Sequence, residues 1–311
     1  MGRRLFFFRI ELQLQGSAMP TLNSGSSSRR FTLLLVHAHP DDECSGTGGL
    51  IIRCAEAGHT TVLITCTNDD RGQVNGLSLR PEESAEDRRR LAEVRQGELE
   101  RAAEILGLSR HYQLGYHDSG MAGWESNKGS EVFANAGLDE AAEKIAQIIR
   151  ECRPDVLVTY NEGGGYGHPD HIMTHRVAMA AADAAADPSR LAGLSPWRVK
   201  KIYHTAWARS RMLRSWRWMR RLGRKTPLDD PKFDETKFGT PDEEITTRID
   251  VQSVRRKKWR ALFTHESQLG NNFFWWFFRL AGRWLFPDES FVLVRSEAPS
   301  LSRESCIFEG L

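Results

Sequence analysis

The chain has 311 residues, 40% of them hydrophobic and 27% charged, a composition ordinary for a soluble globular protein. That length buries a full core, as one large α/β domain or as a domain with an appendage. A formal net charge of +2 gives no global attraction to nucleic acid, and no apolar run reaches the roughly eighteen residues a spanning helix needs.

Five cysteines, at 44, 54, 66, 152 and 306, form no Cys-x-x-Cys pair and are odd in number. Reduced thiols in a cytoplasmic protein fit this better than a disulfide framework. At the N-terminus Arg3 and Arg4 precede Leu5 to Phe8, but Arg9 and Glu11 cut that apolar stretch short of a signal peptide. Residues 1–30 are read as a disordered leader, with Met19 as an alternative start and Ser24 to Arg30 as a flexible lead-in.

Phe31 to Leu35 is an apolar run suited to a buried strand. Pro40, which has no N–H to donate, ends the ladder. His39, Asp41 and Asp42 then crowd a turn at the carboxyl end of that strand, where open α/β sheets bind ligands. Gly46 to Gly49 leads into a helix over Leu50 to Gly58, closed by its glycine, and Thr61 to Thr67 is a β-branched second strand. Strand, helix and strand at this spacing predict a βαβ unit and a parallel sheet. The glycine cluster lacks the G-x-G-x-x-G spacing of a dinucleotide site.

A helix is predicted from about Ser84 to Leu106, then a strand over His111 to Tyr116. The polar, glycine-rich loop from His117 to Gly137 is a candidate lid or substrate loop. A helix over Leu138 to Glu151 stops at Arg153-Pro154, and Asp155 to Tyr160 is the next buried strand. A second polar cluster, Asn161 to His171, follows, with a helix from Ile172 to about Ala186.

Lys201 to Ala208 reads as another strand. Ser210 to Arg224 reads as an amphipathic helix, with Met212, Trp216 and Met219 on one face and Arg214, Arg217, Arg221 and Arg224 on the other. Its basic face suits an anionic surface or a phosphorylated substrate, or is a solvated stripe over a packed helix. Residues 272–287 are strongly aromatic, a stretch for core packing, an acceptor pocket, a bilayer interface or a neighbouring subunit of a homo-oligomer. Phe291 to Val294 is the final strand. The fold class predicted is a Rossmann-like α/β three-layer sandwich with a mostly parallel sheet and a C-terminal extension. One domain covers 31–296, with 209–240 a basic helical insertion and 297–311 a flexible tail.

Both polar clusters end a strand and enter a helix, so a parallel sheet brings them together along one edge. His39, Asp42 and His171 supply two imidazoles and one carboxylate, a set suited to zinc with a position left open for water, and also to Fe(II). Asp41, beside a ligand but not needed as one, is the general base. His168 is placed to stabilise an oxyanion or protonate a leaving amine, and Asp170 to hold an imidazole in the right tautomer.

Ala38 to Glu43 (AHPDDE) together with His168 to His171 (HPDH) resembles the signature of the PIG-L/LmbE deacetylases, over a span from about Thr32 to Val294. Tyr116 to Met121, Gly164 to Gly167, Ile245 to Val251 and His265 to Gln268 are similar to the mycothiol branch of that family. The resemblance implies zinc on His39, Asp42 and His171, Asp41 as base and His168 as electrostatic and acid partner. It further implies Tyr166 as a mobile group near the oxyanion, and Arg71 and Asp118 as contacts to a sugar or inositol. The activity implied is N-deacetylation of a GlcNAc-type amino sugar, GlcNAc-inositol among them. The alternatives are a mycothiol S-conjugate amidase, or a peripheral membrane or carbohydrate-binding protein with a vestigial metal site.

Overall fold

The structure is a computed structural model that describes residues 29–72, 74, 75, 77, 79, 84–236, 238–269, 282, 284, 286–298 and 303–311. The expected leader and the aromatic stretch 272–287 lie almost entirely outside these residues.

Strand polarity and burial set the architecture. β1 (Thr32–His37) alternates its side chains, so Leu33 and Leu35 enter one core and Leu34 and Val36 the other, all with no exposure. A strand buried on both faces belongs at the centre of a parallel sheet. β1 indeed lies between β2 (Thr60–Thr67) and β4 (Val156–Thr159), parallel to both. With β3 (Arg110–Tyr116), β5 (Lys201–Ala206), β6 (Thr247–Asp250) and β7 (Asp288–Ser296), the order is β3-β2-β1-β4-β5-β7-β6. The last two strands join antiparallel. The mostly parallel α/β sandwich expected from the sequence is what forms.

Helices α2 (Gly48–Glu56), α3 (Ala85–Leu106) and α8 (Arg255–Leu262) cover one face, through residues such as Ile51, Leu99 and Leu262. On the other face α4 (Leu138–Cys152) packs beside α6 (Pro169–Ala186), through Ile145, Ile149, Val177 and Ala181. Successive strands run outward from β1 in one direction and from β4 in the other. Their junction is the topological switch point where such sheets bind ligands.

Several element ends shift from the sequence reading, and three differences shape the site and the core. α6 begins at Pro169, not Ile172, because proline is preorganised for a first helical turn and His168 Nδ1 caps the Asp170 N–H at 3.2 Å. The second polar cluster therefore ends inside a helix. β7 starts at Asp288, three residues before the expected Phe291, because Asp288, Glu289 and Ser290 pair with Asp250, Ile249 and Arg248 of β6. Most of the expected flexible tail is docked: Ile307 and Phe308 join the first core, and Phe308 stacks on Phe31 at 4.8 Å. Its anchor is electrostatic. Lys201 on β5 is fully buried, and Glu304 lies 2.6 Å from its ammonium.

The glycine cluster before α2 also finds its explanation. A Cβ on Gly49 would come 2.3 Å from Val251 Cγ1, so close packing excludes any side chain there. The N–H groups of Gly49 and Leu50 donate to the Glu289 carboxylate at 2.7 and 2.8 Å. An internal anion thus fills the seat a phosphate would take in a dinucleotide site.

α7 (Arg209–Arg221) buries Leu213, Trp216 and Met219. Its basic face is partly answered within the chain, by Arg217–Glu235 at 2.9 Å and Arg220–Asp229 at 3.0 Å. Such exposed pairs add little stability. No helix among the described residues is long and apolar enough to cross a membrane.

Candidate active site

The turn after β1 is short and strained. His39 N–H donates to Asp42 Oδ2 at 2.9 Å, and the helical turn α1 (Asp42–Ser45) starts at once. Asp41 precedes it at φ 108°, a region that costs a non-glycine residue on the order of 1–3 kcal/mol. At the facing strand end, the loop after β4 returns through α5 (Gly164–Gly167) into α6. Gly164 has φ 61°, and a Cβ there would sit 2.8 Å from His171 Cβ. Only glycine lets this loop press on the helix, and its carbonyl then meets His171 Nδ1 at 3.2 Å.

Three donor atoms converge from the two clusters. His39 Nδ1 is 3.3 Å from Asp42 Oδ2, His171 Nε2 is 3.4 Å from the same oxygen, and the two nitrogens are 3.3 Å apart. Zinc bonds of about 2.0–2.1 Å in tetrahedral geometry put ligand atoms about 3.3–3.4 Å apart. The far nitrogens are spoken for: His39 Nε2 donates to Asp170 Oδ2 at 3.2 Å, and His171 Nδ1 to the Gly164 carbonyl. With their protons on these far nitrogens, both imidazoles would turn an unprotonated nitrogen inward, as metal ligation requires. The donor set fits a tetrahedral cation with one open position.

Electrostatics agree with that use. Burial would lower the His39 imidazole, but Asp118, Asp170 and Asp42 around it outweigh this and raise it well above its ordinary value. Burial would raise Asp42, yet the charges of His171 and His39 hold it well below the usual carboxylate range. This is a site built for positive charge at its centre. Asp41, half-buried beside the triangle, is pushed up to about 8 by burial and then by the negative charges of Asp42 and Glu43.

His168 lies with His39 and His171 in one cluster whose ligand atoms are within 4.8 Å. Burial first, then the neighbouring His39 and His171, push it down to about 3. Its Nδ1 accepts the Asp170 N–H, which leaves the proton on Nε2. Tyr166 is 56% exposed, its ring 5.0 Å from that of His171.

Asp170 is fully buried and receives three donors: His39 Nε2, the Ser119 N–H at 2.9 Å and the Ser119 hydroxyl. Its oxygens are thus taken up within the site, by His39 and Ser119. Asp118, expected as a sugar contact, is only 2% exposed and turns its carboxylate inward. It accepts the Gly120 N–H at 2.8 Å and lies 3.6 Å from His39 Nε2. Arg71 donates to the Asp118 carbonyl at 2.7 Å and pairs with Glu131 at 3.0 Å, at the rim of the same loop. Sequence reasoning missed Ser119, and also Tyr160, whose ring stacks on His171 at 4.1 Å. Loss of a carboxylate behind a ligating histidine weakens metal binding about 10–100-fold. Asp170→Asn should therefore raise the metal dissociation constant by that factor in a chelator competition, and unchanged affinity would remove its positioning role.

The GlcNAc-PI de-N-acetylase (PIG-L) family model matches residues 34–182, which hold both clusters. A 1D-myo-inositol 2-acetamido-2-deoxy-alpha-D-glucopyranoside deacetylase of Thermomonospora curvata is 39% identical over 290 residues, covering 90% of this chain and 96% of that one. This chain belongs to the PIG-L family. A relative of the same name from Thermobifida fusca is 44% identical over 245 residues, covering 76% and 83% of the two chains. The family's class of reaction is hydrolysis of an amide C–N bond, and its members are typically metal-dependent.

Among solved structures, the N,N'-diacetylchitobiose deacetylase of Pyrococcus horikoshii superposes with a TM-score of 0.57 at 19% identity, over 85% of this chain and 83% of that one. A 4-carboxy-2-hydroxymuconate hydratase of Pseudomonas putida gives the same TM-score at 18% identity, over 87% and 98%. The fold therefore hosts more than one chemistry, and function within it rests on the site.

Proposed function

We propose that this chain is a zinc-dependent N-deacetylase of a GlcNAc-type amino sugar, with GlcNAc-inositol as the first substrate to test. One observation carries the reading: three donor atoms 3.3–3.4 Å apart, with a carboxylate beside them that is not needed as a ligand. The relatives named for GlcNAc-inositol deacetylation support the choice of substrate. Zinc is preferred, and a His/His/Asp set also accepts Fe(II).

His39, Asp42 and His171 would hold the cation, which supplies Lewis acidity toward a carbonyl oxygen and lowers the pKa of adjacent water. Asp41 takes the proton of the attacking water, and its upward shift makes it a stronger base when ionised. The same proton is then available for the departing nitrogen. His168 Nε2–H and the Tyr166 hydroxyl donate toward the developing oxyanion, and Asp170 keeps His39 in register throughout.

A second reading, cleavage of a mycothiol S-conjugate, has one observation in its favour. A cavity of about 420 Å³ beside Tyr166 is lined by Trp207, Met212, Phe238, Trp259 and Leu262, walls suited to an apolar conjugate. Two of the cations lining it are already paired, Arg211 with Asp288 and Lys258 with Glu289. The test is a panel of N-acetylated amino sugars and cysteine conjugates with the zinc-loaded protein. Acetate release from GlcNAc-inositol is the expected result. Conjugate cleavage without acetate release selects the amidase, and no turnover of any substrate at full metal loading overturns both.

A further inference from the structure

His265 and Gln268 take no part in the chemistry above, yet both bind the turn that carries Asp41. His265 Nε2 lies 2.9 Å from Glu43 Oε1, and neither side chain is exposed at all. The other oxygen of Glu43, Oε2, accepts the Asp41 N–H at 2.9 Å. Gln268 Nε2 donates to the Pro40 carbonyl at 2.6 Å.

The Pro40 carbonyl and the Asp41 N–H belong to one peptide plane, so this plane is held from both edges. The torsion φ of Asp41 is the rotation of its Cα substituents about that plane. At 108° it is a conformation an L-residue leaves unless its surroundings impose it. Release of either edge lets the plane turn and swings the carboxylate away from the donor triangle.

The anchors of this clamp are rigid. Ser267, between its two contributors, donates its N–H and hydroxyl to Glu98 of α3 at 2.8 and 2.7 Å, and its carbonyl accepts the Asn75 N–H at 2.7 Å. Cys44 Sγ also donates to Glu43 Oε1, at 3.0 Å. Glu43, Cys44 and His265 have the residue types of a metal site, but separations of 2.9 and 3.0 Å are those of hydrogen bonds to a carboxylate. Their use is mechanical.

We infer that Glu43, buttressed by His265, is a positioning residue that clamps the 40–41 peptide plane together with Gln268 and so aims the Asp41 carboxylate. The inference rests on the reading of Asp41 as the base. It is tested with Glu43→Ala, Glu43→Gln and Gln268→Ala, each made in the native chain and in an Asp41→Asn background, with zinc content measured alongside kcat and KM for the best acetylated sugar of the panel.

Glu43→Ala and Gln268→Ala should each lower kcat about 10–100-fold, the scale of a misplacement near 1 Å. KM should stay within about threefold and zinc stoichiometry unchanged. Glu43→Gln, which still offers a carbonyl oxygen to the Asp41 N–H, should restore most of kcat. In the Asp41→Asn background neither alanine variant should cost anything further, because the clamp acts only through Asp41. Gln268→Ala leaves the buried Glu43–His265 pair intact, so it reports even if Glu43→Ala does not fold. Native kcat in either alanine variant, or an additive loss in the Asp41→Asn background, overturns the inference. Full activity in Asp41→Asn alone overturns the reading of the base instead.

Discussion

Asp41→Asn is expected to keep its zinc and its fold while kcat falls about 10²–10⁴-fold, the usual contribution of a positioned general base. Asparagine matches aspartate in size and is among the few residues that tolerate positive φ, so the strained turn is preserved and only proton transfer is lost. Metal is retained because the donor triangle consists of His39 Nδ1, Asp42 Oδ2 and His171 Nε2, without Asp41. His171→Ala gives the opposite pattern. It removes one of three ligands, so zinc content collapses along with activity, and Asp42 loses one of the charges that hold it ionised. Metal analysis beside initial rates separates the two variants. An Asp41→Asn protein that deacetylates at the native rate would remove Asp41 from the mechanism, and a zinc-replete His171→Ala would remove His171 from the ligand set.

The donor triangle was legible in the sequence because each of its halves is local. His39 and Asp42 lie three residues apart in a turn, and His171 sits beside Pro169 at a helix start. Strand polarity alone then brings the two halves to one sheet edge. The supports of the site were not legible, because they are pairs between distant positions. Glu43 meets His265 across 222 residues, and Ser119 meets Asp170 across 51. A single buried glutamate or serine carries no signal of its partner in sequence. Asp118 shows the same limit in reverse: the family resemblance implies it as a sugar contact, and only the fold shows its carboxylate 3.6 Å from His39 Nε2.

The tail was misread for an energetic reason that one variant exposes. Glu304→Ala is expected to destabilise the protein by about 3–5 kcal/mol, the cost of leaving a buried charge without its partner. Lys201 sits on β5 with no exposure, and its ammonium reaches Glu304 at 2.6 Å, the Glu309 carbonyl at 2.6 Å and the Tyr203 hydroxyl at 3.2 Å. Glu304 in turn accepts from Tyr203 and, at 3.2 Å, from Thr247, so both ends of the pair are hydrogen-bonded. A lysine at the start of a strand reads as a surface residue; its burial is tolerated only because the C-terminal segment folds back with an acid. In thermal unfolding the loss should appear as a fall of roughly 6–10 °C in Tm, at about 2 °C per kcal/mol for a chain of this size. Replacing both partners, Lys201→Met with Glu304→Met, should recover much of that fall, since a buried ion pair is often no better than apolar side chains of similar volume. A native Tm in Glu304→Ala would mean that residues 303–311 do not dock on β5 in solution.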